Sequence, residues 1–202
     1  MSTAATPGQA AIGKRTRAKT RAVAATRGGV MRSKAVYNLG RAPVLVKVEP
    51  IAYARDRFHE FVDKFVGATP DQRMHAEREG VPGVLVKDLA KRMGLANIRM
   101  FEVIGIPKAT AEKKTSAKTP IAGAAGQAAL GMVRLLGIAK DIVANSDSPE
   151  AKNFDTAKWL GHWIELPQPA LGGRKPADMI DTPTGVETVA RLLGSLESGV
   201  YL

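Results

Sequence analysis

Apolar residues recur every three or four positions through most of this chain, the spacing of one helical face. In "IAYARDRFHEFVDKFV", Ile51, Phe58, Phe61, Val62 and Phe65 keep that spacing with charges opposite them, which predicts a helix over 51–66. "TPDQRMHAEREG" carries its own punctuation: Thr69 as N-cap, Pro70 at the first helical position, Gln72 to complete a capping box, and Gly80 to close. Helices are also predicted from about Gly83 to Gly94, across "ANIRMFEVIGI" to Gly105, and from Pro107 to Pro120. A longer one covers "AGQAALGMVRLLGIAKDIVAN", where Leu130, Val133, Leu136, Ile138 and Val143 give a broad apolar side. The only β-like run, "APVLVKVEPIA", is fenced by Pro43 and Pro50. No internal repeat is visible, and the pattern predicts an all-α protein.

Asn145 to Pro149 is a polar break and a candidate domain boundary. "FDTAKWLGHWIELPQP" then starts with Asp155 or Thr156 as N-cap and sets Trp159 and Trp163 on one helical face, where indoles more often build core than a ligand platform. "LGGRKP" reads as a turn whose glycines allow positive φ. Pro176 opens a short helix holding Met179 and Ile180, and Thr182 caps the next, striped by Val186, Val189, Leu192, Leu193 and Leu196. Gly199 is expected at the C′ position, with Val200 folded back on the last turn. Caps and stripe together predict a rigid, projecting final segment, suited to another protein's cleft because its ordering cost is already met.

Charge divides the chain. Residues 1–48 hold ten Lys and Arg and no acid, while the rest holds twenty bases against nineteen acids, so the formal +11 belongs to the N-terminal stretch. Rich in Ala, Thr, Gly and Arg, that stretch is expected to be disordered, as a solvated basic arm or as one that adds phosphate contacts on DNA. There is no cysteine, which removes disulfides, thiol catalysis and Cys-based zinc sites and suits a reducing cytosol. No run of about 18 apolar residues is present to span a membrane.

Short helices joined by glycine-bearing turns invite a helix-turn-helix reading, in two registers. One puts Gly94 in the turn and aims Asn97 and Arg99 outward. The preferred one puts Gly105 in the turn and makes 108–118 the reading helix, with Lys108, Thr110, Lys113, Lys114 and Lys118 facing phosphates and base edges. The bland reading is a helical bundle with a solvated lysine face.

Three pieces carry a family resemblance over about residues 154–202: the W-x-x-x-W helix, "P-x-x-ALGG-R-x-P-x-x-x-x-D-T-x-x-G" and "V-x-x-L-L-G-x-x-x-x-G-x-Y". Together they resemble the C-terminal toxin-binding domain of the Xre/MbcA/ParS antitoxin family. Residues 84–144 resemble the family's Xre-like helical domain more loosely. "IGIPKAT" sits at its G-I-S-P-R-T-L turn, with Ala109 and Ala111 replacing Arg and Leu. After the basic stretch over 1–48, which has no counterpart in the family, the resemblance implies an Xre-like helix-turn-helix domain over 49–148 and a toxin-binding domain over 149–202. It implies a bacterial, cytoplasmic antitoxin that dimerises and neutralises a RES-domain toxin. Such a toxin uses NAD, degrading it or transferring ADP-ribose, and the antitoxin's C-terminal region covers its pocket. It further implies binding of operator DNA and homodimers within a toxin–antitoxin hetero-oligomer. Toxin contacts fall on Arg174, Glu197, Ser198, Val200, Tyr201 and Leu202, although Arg174 could instead tie down its own loop.

Catalytic chemistry is not expected. His59, His75 and His162 lie on different predicted helices without metal spacing. "GGRKP" lacks the preceding strand and the G-K-[ST] ending of a phosphate loop. No nucleophile is set beside a base, and neither cofactor nor metal is called for. The alternative to an antitoxin is a stand-alone helix-turn-helix transcriptional regulator.

Overall fold

Caps decide where these helices begin. Thr69 accepts the Gln72 backbone N–H while the Gln72 side chain accepts the Thr69 N–H, the predicted capping box, and Gly80 closes that helix at φ 79°. The computed structural model describes residues 49–147 and 149–197, without the side chains of Glu150 and Glu197. Over those residues the protein is all-α. Its helices are α1 (Phe58–Val66), α2 (Pro70–Glu79), α3 (Gly83–Arg92), α4 (Asn97–Val103), α5 (Lys108–Ser116), α6 (Ala124–Ala144), α7 (Thr156–Trp163) and α8 (Pro183–Glu197). Short 3-10 turns occupy Arg55–Arg57, Pro149–Asn153, Pro169–Leu171 and Pro176–Asp178. The only β-type pairing among the described residues is an isolated antiparallel bridge between Val81 and Ile121.

The long apolar helix α6 packs against α1, α2, α7 and α8, while α3, α4 and α5 pack on one another. Apolar residues from both sides of the 145–149 break share one core cluster, including Leu85, Leu89, Met100, Leu135, Leu160, Ile164, Ile180 and Leu193. No polar side chain is buried in it among the described residues. At about 25 cal/mol per Å2 of apolar surface, such burial is the main favourable term. Contact between the two stretches is close. At Gly161 on α7, a Cβ would overlap the Met93 carbonyl oxygen at the end of α3.

Two expectations change. The first helix does not begin at Ile51: residues 51–54 are not helical, with Ala54 at φ −127°, and α1 starts after the turn at Arg55–Arg57. Tyr53 explains this, because its ring packs edge-on against Phe58 and Phe61 while its hydroxyl donates to Asp88 at 2.6 Å. The tryptophan face divides. Trp163 is 7% exposed, whereas Trp159 is half-buried and stacked on it at 6.0 Å, with Phe154 beside it. The expected Gly199 stop and the basic stretch over 1–48 lie outside the described residues.

Candidate functional site

The loop after α7 is built by its own backbone. Gln168 N–H donates to the Arg174 carbonyl at 3.0 Å, and the Gln168 carbonyl accepts from Leu171 and Gly173, each at 3.0 Å. Two consecutive left-handed residues, Gly172 at φ 66° and Gly173 at φ 79°, let the chain double back, which a side chain would resist. Leu171 anchors the loop in the interior, while Pro169, Ala170, Gly172, Gly173 and Arg174 stay exposed. Arg174 Nε donates to the Leu171 carbonyl at 3.1 Å, so the side chain ties its own loop. Its two terminal amino groups show no partner among the described residues.

The loop runs into α8 through a second tight turn. Thr182 Oγ1 accepts the Gly185 N–H at 3.1 Å as the predicted cap, and donates to the Met179 carbonyl at 3.2 Å. Gly185 is required here because a Cβ would overlap the Met179 carbonyl oxygen. An ion cluster then fixes the loop to α4. Arg99 grips Glu165 through Nε at 2.7 Å and Nη2 at 3.2 Å, and reaches Glu102 at 3.1 Å and Asp178 at 3.6 Å. Lys175 approaches the Glu165 Oε2 atom at 3.5 Å. The Arg99 hydrogen bond holds the Glu165 carboxyl below its ordinary value against the opposing effect of burial.

Comparison with known proteins fits this geometry. The family model described as the antitoxin Xre/MbcA/ParS C-terminal toxin-binding domain matches residues 153–199, a span that takes in α7, the whole loop and α8. A protein of Sphingobium sp. (strain YBL2), described as "Prs ADP-ribosylating antitoxin", is 31% identical over 134 residues, covering 66% of this chain and 83% of its own. The chain belongs to the Xre/MbcA/ParS antitoxin family. It is therefore an antitoxin of a toxin–antitoxin system, its partner is a cognate toxin, and its family is one of antitoxins rather than catalysts.

Within this antitoxin the predicted site residues fall into three groups. Arg174 stands on the exposed loop. Glu197 closes α8 with its side chain outside the described residues, where Ser198, Val200, Tyr201 and Leu202 also lie. The lysine group sits on α5, where Lys108, Thr110 and Lys113 are exposed over the fully buried Ala111. Lys108 comes within 4.0 Å of Glu112. Lys114 turns back to the Pro120 carbonyl at 3.0 Å. Lys118 does not ride on the helix as expected: α5 ends at Ser116, and Lys118 takes φ 53° in the terminating turn.

Arg99, expected to face outward in the other register, is instead committed to Glu165, 66 residues away. Nothing in local spacing foretells that pair, nor the parts of Glu165, Lys175 and Asp178 in it. Among the described residues no three His, Asp or Glu side chains converge as a metal site requires, and no helix is long and apolar enough to cross a membrane.

Proposed function

We propose that this antitoxin neutralises a RES-domain toxin by covering its NAD pocket, with the loop at 168–178 and the segment from Glu197 to Leu202 as the contact surface. Arg174, Ser198, Val200, Tyr201 and Leu202 make the direct contacts, with Glu197 at their head. The observation that carries the reading is the coincidence of the toxin-binding family match with a loop fixed by its own hydrogen bonds before any partner arrives. A preformed surface loses little ordering entropy on binding. The relative's description names ADP-ribosylation, the NAD-dependent chemistry expected of a RES-type toxin.

Labour divides along the chain. Residues 149–202 bind toxin. Residues 49–148 bind operator DNA through α4 and α5, with Lys108, Thr110, Lys113, Lys114 and Lys118 at the duplex, and so repress the antitoxin's own operon. Residues 1–48 add phosphate contacts, and the working unit is a homodimer within a cytoplasmic toxin–antitoxin hetero-oligomer. Co-expression with the cognate toxin tests the neutralising half. The full chain restores growth and deletion of Gly199 to Leu202 weakens rescue, whereas full rescue by the truncated chain contradicts occlusion by that segment. The exposed lysine face of α5 keeps a second reading in play, a regulator that acts on DNA without any toxin. Such a protein would bind operator DNA and fail every rescue assay.

A further inference from the structure

A groove of about 1010 Å3 opens between α3 and the starts of α4 and α7, and it shares no lining residue with the loop at 168–178. Five cations line it, Arg55, Lys87, Lys91, Arg92 and Lys158, against two carboxylates, Asp88 and Asp155. Both carboxylates are already engaged. Asp88 accepts from the Tyr53 hydroxyl at 2.6 Å and from Arg55 Nε at 3.0 Å. Asp155 caps α7 by accepting the Lys158 N–H at 3.1 Å and pairs with the Lys158 ammonium at 2.9 Å. Arg92 lies over the Phe58 ring, 4.3 Å from its centre. Lys87 and Lys91 remain, one turn apart on α3 and without an ion-pair partner among the described residues. Like charges at this spacing repel on a helix, so their pairing does nothing for the fold.

We propose that this groove holds the phosphate backbone of duplex DNA, with Lys87 and Lys91 as its principal contacts. The orientation rests on the helix-turn-helix reading of α4 and α5. In that architecture the second helix enters the major groove while the first crosses the backbone. Here α4 is the first helix, and Ala96 and Asn97 at its start line the groove. Asn97 is exposed and offers an amide donor to a phosphate oxygen. α3 packs on both α4 and α5, so its two lysines belong to the same packed unit as the helices read as the helix-turn-helix. An acidic protein surface is the competing occupant. DNA is favoured because the reading helices and the groove form one packed unit.

The test is fluorescence anisotropy of the full chain on a labelled 24-base-pair duplex of mixed sequence, titrated at several salt concentrations. Both lysine side chains reach solvent, so the variant Lys87→Ala/Lys91→Ala keeps the fold, which circular dichroism checks. The proposal expects roughly tenfold weaker binding and a salt slope about 2 units shallower, one for each phosphate that no longer meets a lysine. The charge-matched control Lys64→Ala/Arg73→Ala, outside the groove, should leave the slope unchanged. An unchanged slope in the groove variant overturns the proposal, as does an equal fall in the control. DNA binding left intact while the complex with the cognate toxin weakens also overturns it and assigns the groove to a protein. Lys108→Ala/Lys113→Ala, measured alongside, separates the two DNA surfaces. Weakening in the groove variant alone supports the groove and removes α5 from the interface, and weakening in the α5 variant alone does the reverse.

Discussion

In the loop at 168–178, exposed residues are held by backbone hydrogen bonds, two left-handed glycines and an ion cluster anchored on another helix. On α5, exposed lysines stand on a regular helix whose only fully buried side chain is Ala111. The first arrangement fixes shape and leaves little to order on binding. The second presents charge at the solvent surface rather than a fixed shape, which suits a ligand felt across a Debye length of about 10 Å at 0.1 M salt. Substitutions in the loop should therefore act through geometry, and substitutions on α5 through ionic strength.

The largest effect that separates the two regions belongs to Gly185. Replacing it with Ala sets a methyl group against the Met179 carbonyl. Overpacking of this kind costs about 3 kcal/mol, and roughly 8 °C of Tm by calorimetry for a domain of this size. A small change in Tm would mean that the turn into α8 is looser than its hydrogen bonds imply.

Next comes Arg99→Ala, which leaves Glu165 with Lys175 alone. Arg99 and Glu165 are only 33% and 23% exposed, so the loss should be about 1–2 kcal/mol, above that of an ordinary surface pair. The same variant changes the acid limb of stability. The Glu165 pKa is depressed in the folded state, first by its hydrogen bond from Arg99. Its contribution is therefore present above the unfolded value near 4.5 and lost as pH falls through the lower folded value. Urea midpoints measured downward from pH 5 should fall more steeply for the native chain than for Arg99→Ala.

A smaller effect, about 1 kcal/mol in stability, is expected for Gly173→Ala, because φ of 79° strains any residue with a Cβ. The affinity for toxin should fall by more than that strain alone explains if the loop's shape is what the toxin reads. Smallest in stability is Lys108→Ala/Lys113→Ala, within about 0.5 kcal/mol of the native chain because both side chains are exposed. Its DNA affinity should drop several-fold with a shallower salt slope, while toxin affinity stays unchanged.

Much of this was legible wherever structure is local. Thr69 with Gln72 and Thr182 with Pro183 act within one helical turn and stand where their spacing put them, and of the two N-cap candidates Asp155 and Thr156 it is Asp155 that caps α7. Ile51 misled because periodicity extends the first helix back to it, whereas a hydrogen bond from Tyr53 to Asp88, 35 residues distant, holds that stretch out of the helix. The loop's glycines could be read as a turn. The reason for Gly185 could not, since it depends on where the Met179 carbonyl lies. Arg99 and Glu165 meet across 66 residues of sequence, a pairing set by tertiary packing and not by local spacing. Lys87 and Lys91 were not singled out in the sequence, because a lysine pair four residues apart is an ordinary solvated face until the groove is seen.

Hydrogen exchange on the full chain, with and without its cognate toxin, bears most directly on the central claim that a preformed loop and the segment after α8 engage the toxin. The account predicts new protection from Gln168 to Asp178 and beyond Glu197, with α5 unaltered. Protection confined to α5 or to the groove beside α3, with the loop unchanged, would contradict it.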